Sequence, residues 1–120
     1  MDDEEMLRKA VPRMLATAGY AVECARDGAE AIRLYRAALE AGRSFDLVIL
    51  DLGVKNGMGG EETIEELRAV DPDVRAILSS GRLTEASMVS FKQYGFVGAI
   101  EKPYTGSELR AAIESVFAGK

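Results

Sequence analysis

Phe45-Asp46-Leu47-Val48-Ile49-Leu50-Asp51 decides the fold, because an unbroken aliphatic run closes on a carboxylate. That Leu/Val/Ile content is typical of a strand buried on both faces, as parallel sheets require. An acid placed where such a strand leaves the core points to something binding or reacting there. Two more runs end in the same way. Val74-Arg75-Ala76-Ile77-Leu78 leads into Ser79-Ser80-Gly81, and Phe96-Val97-Gly98-Ala99-Ile100 leads into Glu101-Lys102-Pro103. Asp51, Ser80 and Lys102 thus put an acid, a hydroxyl and an amine at successive strand ends, the layout of one site on a parallel sheet.

Working outward, helical patterns separate these runs. Leu7, Val11, Met14, Leu15 and Ala18 share a helical face, with Gly19 as a stop signal and Pro12 inside at the cost of a hydrogen bond. Tyr20 to Ala25 reads as a short strand. Asp27 and Glu30 resemble a capping box, opening a helix that buries Ile32, Tyr35 and Leu39 and stops at Gly42. After the glycine-rich turn from Gly53 to Gly60 comes a helix with Ile64 and Leu67 inward, broken by Asp71-Pro72-Asp73. Another helix spans about Thr84 to Tyr94 with Met88 and Phe91 inward. Thr105 and Glu108 cap the last one, which carries Leu109, Ile113, Val116 and Phe117. Strands alternating with helices of this length predict right-handed crossovers and a three-layer α/β domain over residues 1–120.

The expected count is four strands and five helices. A doubly wound sheet normally begins with a strand that becomes central, yet only Met1-Asp2-Asp3-Glu4-Glu5 precedes the first helix. Five buried side chains at about 2 kcal/mol each would be forfeited, comparable with the whole stability of a domain. The sequence therefore predicts a truncated or alternatively started version of a longer chain, or a strand swapped in from a neighbouring molecule.

Composition narrows the functional classes. The chain has 120 residues, enough for a core without disulfides, and its 48% hydrophobic and 29% charged content is that of a soluble globular protein. A net charge of −5 argues against a nucleic-acid surface. Cys24 is the single cysteine, so an internal disulfide is excluded and a reducing cytoplasm is the natural compartment. No apolar run approaches a membrane span. With no histidine, a His-based triad and a His-ligated metal are both excluded.

In an open parallel sheet, ligands bind beyond the carboxyl ends of the strands. Asp2 and Asp3 precede the first helix and so fall at the same edge as Asp51. Three clustered anions repel one another unless a cation joins them, and all-oxygen ligation favours Mg²⁺ over Zn²⁺. Asp51 would then serve as nucleophile toward phosphorus, with Lys102 and the Ser80 hydroxyl on the phosphoryl oxygens. Each feature alone has an ordinary reading: an acidic first helical turn, an Asx turn, a loop serine, a solvated lysine. Their joint order and spacing point to a site.

These residues resemble the receiver (response-regulator) domain of bacterial two-component systems, a flavodoxin-like fold. The matching motifs are Asp2-Asp3-Glu4-Glu5, Asp46 to Leu52, Ser79-Ser80-Gly81 and Lys102-Pro103-Tyr104. Gly57-Met58-Gly59-Gly60 and Tyr94-Gly95-Phe96 are similar to receivers attached to hybrid sensor histidine kinases. The resemblance covers all but the missing opening strand. It implies that Asp51 is the phosphoacceptor, Asp3 a direct Mg²⁺ ligand, Asp2 a ligand through water, and Gly53 a ligand by its backbone carbonyl. It further implies that Lys102 and Ser80 sense the phosphoryl group, with a cis peptide before Pro103. The donor would be a phosphohistidine on a kinase or a histidine phosphotransfer domain.

Two departures from that pattern bear on output. Lys55 stands where receivers usually have proline, and Ala99 where many have a Tyr or Phe that swings inward. The expectation is that output travels through the Ser80 loop and the helix after it. The competing function is a receiver-like interaction module that works without phosphorylation; a homodimer or strand swap is a separate partner expectation. A phosphatase of the haloacid-dehalogenase kind is disfavoured, because Gly53 occupies the place of its second Asp.

Overall fold

The computed structural model describes residues 1–119. Its elements run α1 (Glu5–Ala16), α2 (Gly28–Glu40), β1 (Val48–Asp51), α3 (Gly60–Val70), β2 (Ala76–Ser80), α4 (Glu85–Tyr94), β3 (Gly98–Glu101) and α5 (Gly106–Ala118). The strands are parallel in the order β1-β2-β3, with Asp51 opposite Ser79 and Ser80 opposite Glu101.

Alternation along the strands builds the two outer layers. Leu50 and Leu78 face a core with Tyr35, Ile64, Leu67 and Phe96, on the side of α2, α3 and α4. Ile49, Ile77 and Ile100 face Leu15, Leu109 and Ile113 of α1 and α5. The result is a three-layer, doubly wound, flavodoxin-like sheet. Gly60 lets the first turn of α3 rest on β1, since a Cβ there would lie 3.0 Å from the Asp51 carbonyl oxygen.

The caps match the sequence patterns. Asp27 Oδ1 accepts from the Glu30 amide, and both halves of the Thr105–Glu108 box are formed. Pro12 lies inside α1, where it leaves the Arg8 carbonyl without its helical donor. The Cys24 thiol donates to that carbonyl at 3.3 Å, which accounts for the tolerated proline.

Two expectations are corrected. Tyr20 to Ala25 is not a strand, so the described residues hold three strands and not four. A strand is defined by its ladder, and the backbone bonds of this segment, Tyr20 amide to the Leu15 carbonyl at 3.4 Å and Asp2 amide to the Ala25 carbonyl at 2.9 Å, form none. Met88 is 41% exposed, and its neighbour Val89 is 60% exposed, so α4 turns Phe91 and not Met88 toward the core. Among the described residues no strand precedes α1. Instead Met1 lies along β1, its nitrogen donating to the Ile49 carbonyl at 2.7 Å and its carbonyl accepting from the Asp51 amide at 3.1 Å.

Candidate functional site

Those backbone contacts bring the acidic start of the chain to the carboxyl edge of the sheet. One carboxylate oxygen from each of Asp2, Asp3 and Asp51 lies within 4.8 Å of the others. Asp51, ending β1, is 2% exposed, and its Oδ1 accepts from the Gly53 amide at 3.1 Å. Asp2 is also buried, and its Oδ1 accepts from the Glu4 amide at 2.9 Å. Asp3 Oδ2 accepts from the Lys55 amide at 3.2 Å, which ties the turn after β1 to the acidic segment.

Lys102 follows β3, where its amide donates to the Ser80 carbonyl at 2.8 Å and its peptide to Pro103 is cis. Its Nζ lies 2.8 Å from Asp2 Oδ2, 3.2 Å from Asp51 Oδ1 and 3.7 Å from Glu4 Oε1. One ammonium therefore faces an excess of carboxylates in a sheltered place. Burial raises the pKa of Asp51, and nearby Asp2 adds to this against the opposing Gly53 amide and Lys102. For Lys102, burial disfavours the charge, but Asp2 and Asp51 outweigh it and the pKa is raised. The cluster has charge to spare for a cation, and its donors are all oxygen, the ligand chemistry of Mg²⁺.

Ser80 sits at the end of β2 beside Lys102, but its hydroxyl turns into its own loop. It donates to the Arg82 carbonyl at 2.9 Å and accepts from the Arg82 amide at 3.3 Å. Ser79, opposite Asp51 in register, has a buried hydroxyl with no partner. Tyr104 is buried beside the acids, and burial followed by the Asp2 charge raises its pKa.

The sequence reading gave no role to Glu4, which reaches Lys102, or to Glu101, whose Oε2 accepts from the Leu83 amide at 2.9 Å. The signal for Glu101 was available. It alternates with Lys102 at the end of the strand, so its side chain leaves by the opposite face, toward the loop after β2.

A doubly wound sheet with clustered acids and a lysine at its carboxyl edge is the build of a flavodoxin-like domain with an acidic cation pocket. The chain belongs to the response regulator receiver domain family, which matches residues 1–114. The sensor kinase CckA of Brucella abortus is 28% identical over 117 residues, covering 98% of this chain and 12% of that protein. The probable transcriptional regulator ycf27 of Guillardia theta is 31% identical over 117 residues, covering 98% and 43%. The chain thus spans less than half the length of either relative. Among solved structures, a LuxR-family two-component response regulator from Aurantimonas superposes with a TM-score of 0.84 at 30% identity, covering 99% of this chain and 82% of that one. Vibrio cholerae CheY4 gives 0.85 at 27% identity, covering 96% and 92%. The protein is a receiver domain of two-component signalling, a class that takes Mg²⁺ in an acidic pocket and meets histidine kinases or phosphotransfer partners. No helix among the described residues is long and apolar enough to cross a membrane.

Proposed function

We propose that this chain accepts a phosphoryl group on Asp51 from a phosphohistidine, on a histidine kinase or a histidine phosphotransfer domain, and so relays a two-component signal. The observation that carries this reading is the grouping of Asp2, Asp3 and Asp51 within 4.8 Å, with Lys102 Nζ 3.2 Å from the proposed nucleophile. Asp2, Asp3, Asp51 and the Gly53 carbonyl would hold Mg²⁺, which supplies charge neutralisation for the incoming phosphoryl oxygens. An Asp51 carboxylate oxygen forms the new P–O bond, the P–N bond to the donor breaks, and its electron pair stays on the imidazole. Lys102 pairs with one phosphoryl oxygen. Ser80 exchanges its bond to Arg82 for a bond to another. Catalysis is then positioning and charge pairing, as phosphoryl transfer requires. The lone cysteine supports a cytoplasmic setting.

The test is intact mass after incubation with Mg²⁺ and acetyl phosphate or a phosphorylated kinase. A stoichiometric phosphoryl adduct on the wild type, absent from Asp51→Asn, is the expected result. Folded wild type without any adduct would leave the phosphorylation-independent interaction module in its place, and sustained phosphate release would indicate a phosphatase.

A further inference from the structure

We propose that the buried hydroxyl of Ser79 is a positioning donor for the Asp51 carboxyl. Idle in the free protein, it bonds Oδ1 once Lys102 turns to a phosphoryl group, and it shortens the life of that group. The inference deepens the phosphoacceptor reading and rests on it. The resemblance assigns a phosphoryl oxygen to Ser80 and leaves Ser79 without a task.

Strand alternation puts Ser79 in the site. Ile49, Ile77 and Ile100 face α1 and α5. Asp51, Ser79 and Lys102 each follow one of them by two residues, so all three point to that same face. Ser80, one residue on, leaves by the other face and bonds Arg82. In register, Ser79 stands between Asp51 on β1 and Ile100 on β3. Ile100 offers no acceptor in its side chain, whereas the Asp51 carboxyl lies across one strand spacing, about 4.8 Å. Ser79 is 1% exposed, and its Oγ has no partner. An unbonded buried hydroxyl is costly in the free protein and becomes favourable in any state that brings it an acceptor.

Lys102 decides which state holds. Its Nζ lies 3.2 Å from Asp51 Oδ1, the oxygen that also accepts from the Gly53 amide. β2 lies between β1 and β3, which Lys102 follows, so an oxygen turned toward Lys102 is turned toward Ser79. Oδ2 is left to carry phosphorus. When Lys102 pairs with a phosphoryl oxygen, Oδ1 loses that donor, and rotation about one side-chain bond brings the Ser79 hydroxyl to it. Release of the group then follows a balanced course. A water oxygen bonds phosphorus, the P–Oδ2 bond breaks, and its electron pair returns to the carboxylate while the water's protons leave with the phosphate. Negative charge grows on Oδ1 as that bond breaks, and a donor held there out of water stabilises it. Ser79 therefore speeds release.

The test compares the whole chain with Ser79→Ala and Ser79→Thr. Each is labelled with Mg²⁺ and acetyl phosphate, freed of reagent, and followed over time by intact mass. The expected result is an adduct that lasts about fivefold longer in Ser79→Ala, the worth of one neutral hydrogen bond, with Ser79→Thr near the wild type. In infrared difference spectra of phosphorylated against free protein, the acyl carbonyl band should lie higher in Ser79→Ala, because its oxygen has lost a donor. A change of packing alone would not move that band. Without the label, Ser79→Ala should melt no lower than the wild type, since the hydroxyl it lacks bonds nothing there. An equal lifetime or an unmoved band in labelled Ser79→Ala, or a lower melting temperature without the label, overturns the proposal. A wild type that takes no adduct overturns the phosphoacceptor reading beneath it, so the two failures are told apart.

Discussion

At the scale of single residues, Asp51 sets the tension of the site. A carboxylate with a raised pKa disfavours the folded state once it is ionised, because the folded protein holds the proton more tightly than the unfolded chain. Without metal at neutral pH, Asp51→Asn is therefore expected to be the more stable protein. Mg²⁺ should raise the melting temperature of the wild type more than that of the variant. Equal shifts in melts with Mg²⁺ and with chelator would show that Asp51 does not share the cation. The acid and Lys102 were legible in the sequence because a charged residue ending an aliphatic run breaks the pattern of the core. The Ser80 bond to Arg82 and the reach of Glu4 were not, since side-chain rotamers leave no periodic trace.

At the scale of elements, α1 and the loop after β2 each depend on one side chain from elsewhere. Replacing Cys24 with Ala removes the donor to the Arg8 carbonyl that Pro12 leaves open, and should cost about 1 kcal/mol. Cys24→Ser should retain most of the stability. In a Pro12→Ala background the Cys24→Ala cost should shrink, and an unchanged cost in chemical denaturation would refute the pairing. In the loop, Glu101 holds the Leu83 amide while Ser80 holds the backbone carbonyl and amide of Arg82. With Ala99 in place of a ring, the Glu101 bond ties β3 to the loop before α4. Glu101→Ala should speed hydrogen exchange at the Leu83 amide by about tenfold, from loss of a bond of roughly 1.5 kcal/mol, and an unaltered rate would remove Glu101 from that role. Helices were legible to within a few residues because caps such as Asp27 and Thr105 are local. Tyr20 to Ala25 was misread because its β-type residues say nothing about whether a neighbouring backbone will meet them. Met88 was misplaced because the periodicity of α4 is weak, with Met88, Val89 and Phe91 leaving the inward side open.

For the whole molecule, the layered sheet was readable from three aliphatic runs and the helices between them, which is why the architecture agrees with the structure. The bridging of α2 to the turn after α3 was not readable. There the buried Tyr35 hydroxyl donates to Asp71 Oδ2 at 2.6 Å, linking residues 36 positions apart. Burial, followed by the bond to Asp71, raises the Tyr35 pKa. A raised folded pKa means its contribution is complete below the unfolded value of about 10 and is lost as pH climbs through the folded value. Tyr104 and Lys102 are raised as well and act with the same sign. Stability should therefore fall above about pH 10, and Tyr35→Phe should be less stable at neutral pH yet show a shallower alkaline decline. Parallel declines in urea midpoints against pH would exclude Tyr35 as a source. Finally, Gly60 presses the start of α3 onto the Asp51 carbonyl, while the next amide is fastened to Ser79. The skeleton beneath the Asp51 carboxylate works as an anvil: on the proposed function, a new charge can land on it without moving it.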